Sequence, residues 1–200
     1  MRIAVIGAGN VGGGLATAFA AAGHRVVFGV RDPGSEKCRA SVAAAVGSTA
    51  TSPARAVAGA DVIVFALRWP AVPGIVATLP RLDGRVVIDA MNRFDGDPVR
   101  STTEDLAELL PGARVVKAFN TIGFENLTTA HSRRVPAVMF VAGDDPEAKQ
   151  VALTLATEMG FQAEDAGPLA YAKVLEGMVR VWLALAQRHG RTIGYALSPG

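Results

Sequence analysis

The chain has 200 residues, half of them apolar, and carries 20 Lys and Arg against 18 Asp and Glu, a net charge of +2. That length fits one domain, or one plus a short extension, and so even a charge balance, with no basic run beyond Arg133-Arg134, argues against a nucleic-acid partner. One cysteine, Cys38, excludes a disulfide framework and points to a reducing, cytoplasmic compartment; three scattered histidines offer no metal-ligand spacing, and no apolar run approaches the roughly 18 residues of a membrane span.

Met1 leads straight into Arg-Ile-Ala-Val-Ile-Gly at 2–7, an apolar run that predicts a buried strand without a signal-type leader. An alanine-rich helix follows at 11–22, stopped by Gly23. A strand at 25–30 precedes a helix at 33–46, then a short strand near 48–50 and a short helix near 53–58. Residues 60–66, Ala-Asp-Val-Ile-Val-Phe-Ala, form a strand, followed by a helix near 71–79, a strand at 85–89, a helix at 102–110 and a strand at 114–118. A strand at 136–142 runs into a helix at 145–159, with Asp145 as N-cap and Pro146 at its first position. A short strand at 161–164 and a long helix at 168–189 finish the pattern. In that helix Leu175, Met178, Val179, Trp182 and Leu185 keep helical spacing. This alternation predicts a Rossmann-like, doubly wound α/β fold with a mainly parallel sheet. The chain reads as a single domain, 1–200, with 165–200 as a small C-terminal helical extension. Residues 119–135 are the longest stretch without periodicity, a length of connection that is often functional.

Gly7-Ala8-Gly9-Asn10-Val11-Gly12 lies where the first strand meets the first helix. In that context Gly7 allows the tight turn, Gly9 lets the backbone approach a pyrophosphate, and Gly12 lets helix and strand pack closely. The helix N-terminus then offers its N–H groups to the phosphates. Gly13 and Gly14 cost helix stability, about 1 kcal/mol each against Ala, so a ligand or another backbone should approach them closely.

The second strand ends at Gly29-Val30, and Arg31-Asp32-Pro33 comes next. An acid at this place binds both ribose hydroxyls of NAD; an arginine suits the 2′-phosphate of NADP. Ser35 and Lys37 add a hydroxyl and a second charge. Asp-Pro-Gly-Ser-Glu is a helix-start pattern, which gives Asp32 a structural task as N-cap and favours NADP(H) over NAD.

Several blocks combine with these: Ala60-Asp61-Val62-Ile63-Val64 running into Arg68-Trp69-Pro70-Ala71-Val72, Val87-Ile88-Asp89-Ala90-Met91-Asn92, Gly112 to Thr121, Ala142 to Lys149, and Asp165-Ala166-Gly167-Pro168-Leu169. Their order and spacing resemble the family of NADPH-dependent coenzyme F420 reductases over nearly the whole chain. The resemblance implies a compact, usually dimeric Rossmann enzyme that exchanges hydride between NADP and a deazaflavin lying against the nicotinamide. It implies that residues 7–12 hold the pyrophosphate and Arg31 the 2′-phosphate. Ala66, Leu67, Arg68, Trp69 and Val72 would line the cofactor, with Asn92, Asn120 and Thr121 near the nicotinamide. The family also includes cytoplasmic domains of ferric reductases, so a flavin or another electron partner stays open. Arg68 departs from the family's pattern, which often has proline there.

Hydride transfer between two rings needs positioning rather than an acid/base pair, so no catalytic side chain is assigned. Arg68, Arg93, Arg133 and Arg134 are candidates to meet an acidic second substrate, and His131 reads as a surface residue. Lys117 inside an apolar strand stands out, since lysines are seldom fully buried. Two alternatives remain: a non-catalytic NADPH-binding redox sensor, and an imine or hydroxyacid reductase, a class that needs a long helical second domain. An open cleft beside residues 117–135 and 190–200 favours a reductase; a cleft filled by the chain itself favours the sensor.

Overall fold

In the computed structural model, residues 1–94 and 99–198 are described. The apolar runs become the strands β1 (Arg2–Ile6), β2 (Arg25–Gly29), β3 (Thr49–Thr51), β4 (Val62–Phe65), β5 (Val86–Asp89), β6 (Arg114–Lys117), β7 (Val138–Gly143) and β8 (Gln162–Gly167). Between and after them lie the helices α1 (Asn10–Ala21), α2 (Glu36–Ala44), α3 (Pro53–Val57), α4 (Val72–Val76), α5 (Thr102–Leu109), α6 (Pro146–Glu158) and α7 (Ala172–His189). No helix among the described residues is long and apolar enough to cross a membrane.

The strands form one sheet in the order β3-β2-β1-β4-β5-β6-β7-β8. All pairs are parallel except β6 with β7, so the doubly wound, mainly parallel expectation holds. Both faces of the central strands are covered, which is why β1, β4 and β5 read as nearly continuous apolar runs, unlike the edge strands β3 and β8. Along β1, Ile3 and Val5 join Leu15 and Phe19 of α1 on one face. Ala4 and Ile6 join Ala56 of α3 and Leu106 of α5 on the other.

The register sets the site. Gly29, Ile6, Phe65, Asp89 and Lys117 pair in one line across β2, β1, β4, β5 and β6. Each is the last residue of its strand, so the segments that follow all emerge at one edge. The chain leaves β1 for β2 and β3 on one side and returns to β4 on the other; ligands of open α/β sheets bind at such a switch point.

Several boundaries differ from expectation. The helix expected from residue 33 starts at Glu36, with Ser35 at its N-cap position. Asp32 instead closes a turn: its Oδ1 accepts from Gly34 N at 2.9 Å, and its carbonyl accepts from Ser35 N at 3.3 Å. Asp145 does cap α6, accepting from Ala148 N at 2.8 Å, with Pro146 following. Residue 165 lies inside β8, and the helical part of the C-terminal extension starts only with a 3-10 turn at Leu169–Tyr171. Residues 199 and 200 of that extension lie outside the described residues. The stretch 119–135 contains two 3-10 turns, Phe124–Asn126 and Ala130–Ser132.

Candidate functional site

The glycine turn is held from both sides, since Gly7 N donates to Gly29 O at 3.1 Å and Ala66 N to Ile6 O at 3.0 Å. Gly7 has φ +113°, a left-handed conformation that favours glycine, and a Cβ there would stand 2.5 Å from Ala66 O. A Cβ at residue 12 would stand 2.1 Å from Gly7 O, so α1 approaches β1 closely only through Gly12. Gly14 packs on the backbone of the later loop, where an added Cβ would lie 3.4 Å from Phe124 O and 3.1 Å from Leu127.

Among the described residues, no side chain caps or neutralises the start of α1. Its N-cap is Gly9, no side chain caps it, and its first turn holds no acid. The N–H groups of Asn10, Val11 and Gly12 therefore remain for an anion, beside the positive end of the helix dipole. Ser41 Oγ donates to Ala8 O at 3.2 Å and ties the turn to α2. From the same helix Lys37 reaches over: its Nζ is 3.9 Å from where a Cβ of residue 9 would be. Lys37 and Arg31 are exposed and make no hydrogen bond or ion pair among the described residues. Ser35 is less available than its position suggests, because its hydroxyl donates to Asp32 O at 2.9 Å. Cys38 lies buried in α2; burial, then Asp32, push its thiol upward, which disfavours the reactive thiolate.

Beyond β4, Ala66 and Leu67 flank the glycine turn, and Leu67 Cδ2 would lie 2.9 Å from a Cβ on Gly7. Arg68 is exposed and precedes a 3-10 turn, Trp69–Ala71, that runs into α4 at Val72. Arg93 stacks its guanidinium 4.9 Å from the Trp69 ring centre and pairs with Asp105. It is thus engaged in building the wall rather than free for a substrate.

At the ends of β5 and β6 two asparagines interlock. Asn120 Nδ2 donates to Asn92 Oδ1 at 2.9 Å and to Leu175 O at 3.0 Å, while Asn92 Nδ2 donates to Asn120 O at 3.1 Å. Phe119 forces the turn between Lys117 and Asn120. It has φ +61°, the one positive value outside glycine among the described residues, a strain that concentrates at functional positions. Its ring is buried edge-on against Phe19 at 5.8 Å, which holds that conformation. Three buried atoms here have no partner: Arg93 Nε, Asn120 Oδ1 and Thr121 Oγ1. Such orphans are rare in folded proteins, and Asn120 and Thr121 are themselves only 2% and 1% exposed.

The loop after Thr121 is strapped by the tail of the chain. Asn126 Nδ2 donates to Arg191 O at 2.8 Å, Arg133 donates to Thr192 O at 2.7 Å, and Trp182 Nε1 donates to Ile193 O at 3.1 Å. Arg191 stacks on Trp182 and Phe124 and pairs with Glu125. Burial pushes Glu125 up, but the Arg191 hydrogen bond, a backbone hydrogen bond and the Arg191 charge together outweigh it and hold the carboxyl below its ordinary value. Arg133 therefore serves the strap, while Arg134 stays exposed. His131 is exposed, with Nε2 2.9 Å from Glu158 O, as a surface residue.

Lys117 does not emerge at the strand end. It is fully buried against Asp89 and Glu176. Glu176 escaped the sequence reading, although an acid beside Leu175 on the apolar stripe of α7 is the visible signal. Burial pushes its carboxyl up; the Lys117 charge, then hydrogen bonds from Lys117 and Thr102, outweigh this and hold it below the ordinary value.

The family model for coenzyme F420-dependent NADP oxidoreductases matches residues 2–93. The F420-dependent NADP reductase of Methanothermobacter thermautotrophicus is 33% identical over 212 residues, covering 94% of this chain and 90% of that protein. The metalloreductase STEAP3 of Rattus norvegicus is 30% identical over 180 residues, 88% of this chain, which spans only 36% of that protein's length. A solved structure from Arthrobacter sp. FB24, assigned as an F420-dependent NADP-reductase, matches with TM-score 0.87 and 25% identity, covering all of both chains.

Proposed function

This chain belongs to the coenzyme F420-dependent NADP oxidoreductase family, and from that membership we propose that it exchanges hydride between NADP(H) and a deazaflavin, coenzyme F420, or a flavin-type partner. The observation that carries the reading is the convergence at one sheet edge: an uncapped helix start under the Lys37 ammonium, an Arg31 with no partner among the described residues, and the orphaned Asn120 Oδ1 and Thr121 Oγ1. These groups fit the two ends of a dinucleotide.

On this reading residues 7–12 hold the pyrophosphate, with Lys37 above Gly9, and Arg31 binds the 2′-phosphate as a planar fork. Ser35 closes the turn that presents Arg31. Ala66, Leu67, Arg68 and Trp69 form the wall along the cofactor, while Val72, expected to line it, is fully buried in the core behind them. Asn120 and Thr121, braced by Asn92, orient the carboxamide end and exclude water. The nicotinamide, when bound, supplies the hydride chemistry, so no side chain has to act as acid or base. The chain reads as one catalytic domain with its C-terminal part as a strap. The reading includes a homodimer in the cytoplasm; exposed Val174 and Val181 on α7 support the first, and the lone buried cysteine the second.

The tail that fills the space over Phe124 favours a second reading, an NADPH-binding sensor whose acceptor side is closed by its own residues. Absorbance assays of NADP reduction by reduced deazaflavin, and of NADPH oxidation by flavins, ferric complexes and cyclic imines, separate the two. Turnover with deazaflavin or flavin supports the reductase; tight NADPH binding with no turnover on any acceptor supports the sensor.

A further inference from the structure

The wall and the paired asparagines leave one charged group unexplained: a buried ammonium at the end of β6 with two buried carboxylates around it. Lys117 Nζ lies 2.7 Å from Glu176 Oε1, 3.1 Å from Asp89 Oδ2, 3.0 Å from Thr102 Oγ1 and 2.6 Å from Met91 O. Burying three charges is expensive, and apolar side chains of similar size often stabilise a core as well. Direction is what such a cluster adds.

Its hydrogen bonds converge on one short segment. Asp89 Oδ1 accepts from Met91 N at 2.8 Å, Lys117 donates to Met91 O, and Glu176 Oε2 accepts from Arg93 N at 3.1 Å. The backbone on both sides of Asn92 is therefore clamped by charged groups. Glu176 Oε1 also accepts from Thr102 N at 2.8 Å, which docks α7 on the start of α5. That docking fixes Leu175 O, the acceptor of Asn120 Nδ2 at 3.0 Å. Asn92 and Asn120 both take their aim from the same three ions.

We infer that Lys117, Asp89 and Glu176 form a positioning cluster that orients Asn92 and Asn120 toward the nicotinamide end of the site. The inference rests on the cofactor reading above. None of the three needs to touch the cofactor; they act through the two asparagines. Glu176→Gln is the discriminating variant, since it keeps size and leaves a neutral Lys117–Asp89 pair.

The test titrates the whole protein with 2′,5′-ADP, which reports the adenine end, and with NADPH followed by nicotinamide fluorescence. Glu176→Gln should bind 2′,5′-ADP within about twofold of wild type, as the phosphate end is untouched. It should lose the change in nicotinamide fluorescence on binding, and single-turnover hydride transfer should slow by roughly 10–100-fold, as for a small misplacement of reacting groups. Thr102→Val, which removes a hydroxyl and no charge, should move both readouts in the same direction. A lower melting temperature with unchanged fluorescence and rate in these variants would mark a purely structural cluster and overturn the proposal. A wild-type protein that binds 2′,5′-ADP but gives no nicotinamide signal would overturn the cofactor reading beneath it.

Discussion

Replacing Arg31 with alanine should turn a protein that prefers NADPH into one that treats NADPH and NADH alike. Arg31 stands just beyond β2, exposed and without a partner among the described residues, so its removal takes no internal contact with it. A hydrogen bond to a charged group is worth about 1.5–3 kcal/mol, and solvent exposure puts this one near the lower end. About 1.5–2 kcal/mol corresponds to roughly 10–30-fold in affinity. Fluorescence titrations of wild type and Arg31→Ala with each nucleotide measure it directly. NADPH should weaken by that factor while NADH stays within about twofold, and raising the salt should narrow the wild-type preference. Lys37→Ala provides the contrast, because its ammonium lies over Gly9: it should weaken both nucleotides together. Equal losses of NADPH and NADH in Arg31→Ala would refute the assignment of Arg31 to the 2′-phosphate.

Three further outcomes follow from the geometry. Gly12→Ala puts a Cβ 2.1 Å from Gly7 O, so calorimetric melting should show a loss of about 1–3 kcal/mol and nucleotide titration little binding. Thr121→Val removes a buried hydroxyl without a partner; the ligand-free protein should melt at the same temperature or a few degrees higher, while NADPH affinity falls. Glu176 is held below its ordinary value in the folded chain, so its stabilisation is complete above the unfolded value of about 4.3 and is lost as pH falls through the depressed folded value. Acid melting curves of Glu176→Gln should therefore be flatter than wild type across that window.

The order of elements was legible because β1, β4 and β5 are short Val- and Ile-rich runs bounded by polar or glycine residues, and because Gly7, Gly9 and Gly12 fall where strand meets helix. The reversal of β7 was not legible. Its direction depends on the path of residues 119–137, whose two 3-10 turns carry no periodic signal. The start of α2 was misplaced because Asp-Pro-Gly-Ser offers two capping residues, and Asp32 satisfies itself locally on Gly34 N. At the site, Arg31 and the glycines announce themselves by type and position. Glu176 does not, since its partner Lys117 is 59 residues away in sequence and only the packing of α7 brings them together. The strain at Phe119 is likewise invisible in residue type, because an aromatic residue gives no hint of a left-handed conformation.

Direct hydride exchange between a nicotinamide at this sheet edge and a deazaflavin or flavin ring is the reaction proposed for this chain. NADPH carrying deuterium at carbon 4, prepared separately on each face, tests it with deazaflavin as acceptor and mass spectrometry of the reduced product, whose C5 holds the label in a C–H bond that does not exchange with water. One deuterium is expected in the product from one of the two labelled faces and none from the other. Loss of the label to solvent from both, or no acceptor reduced while NADPH binds, would contradict it.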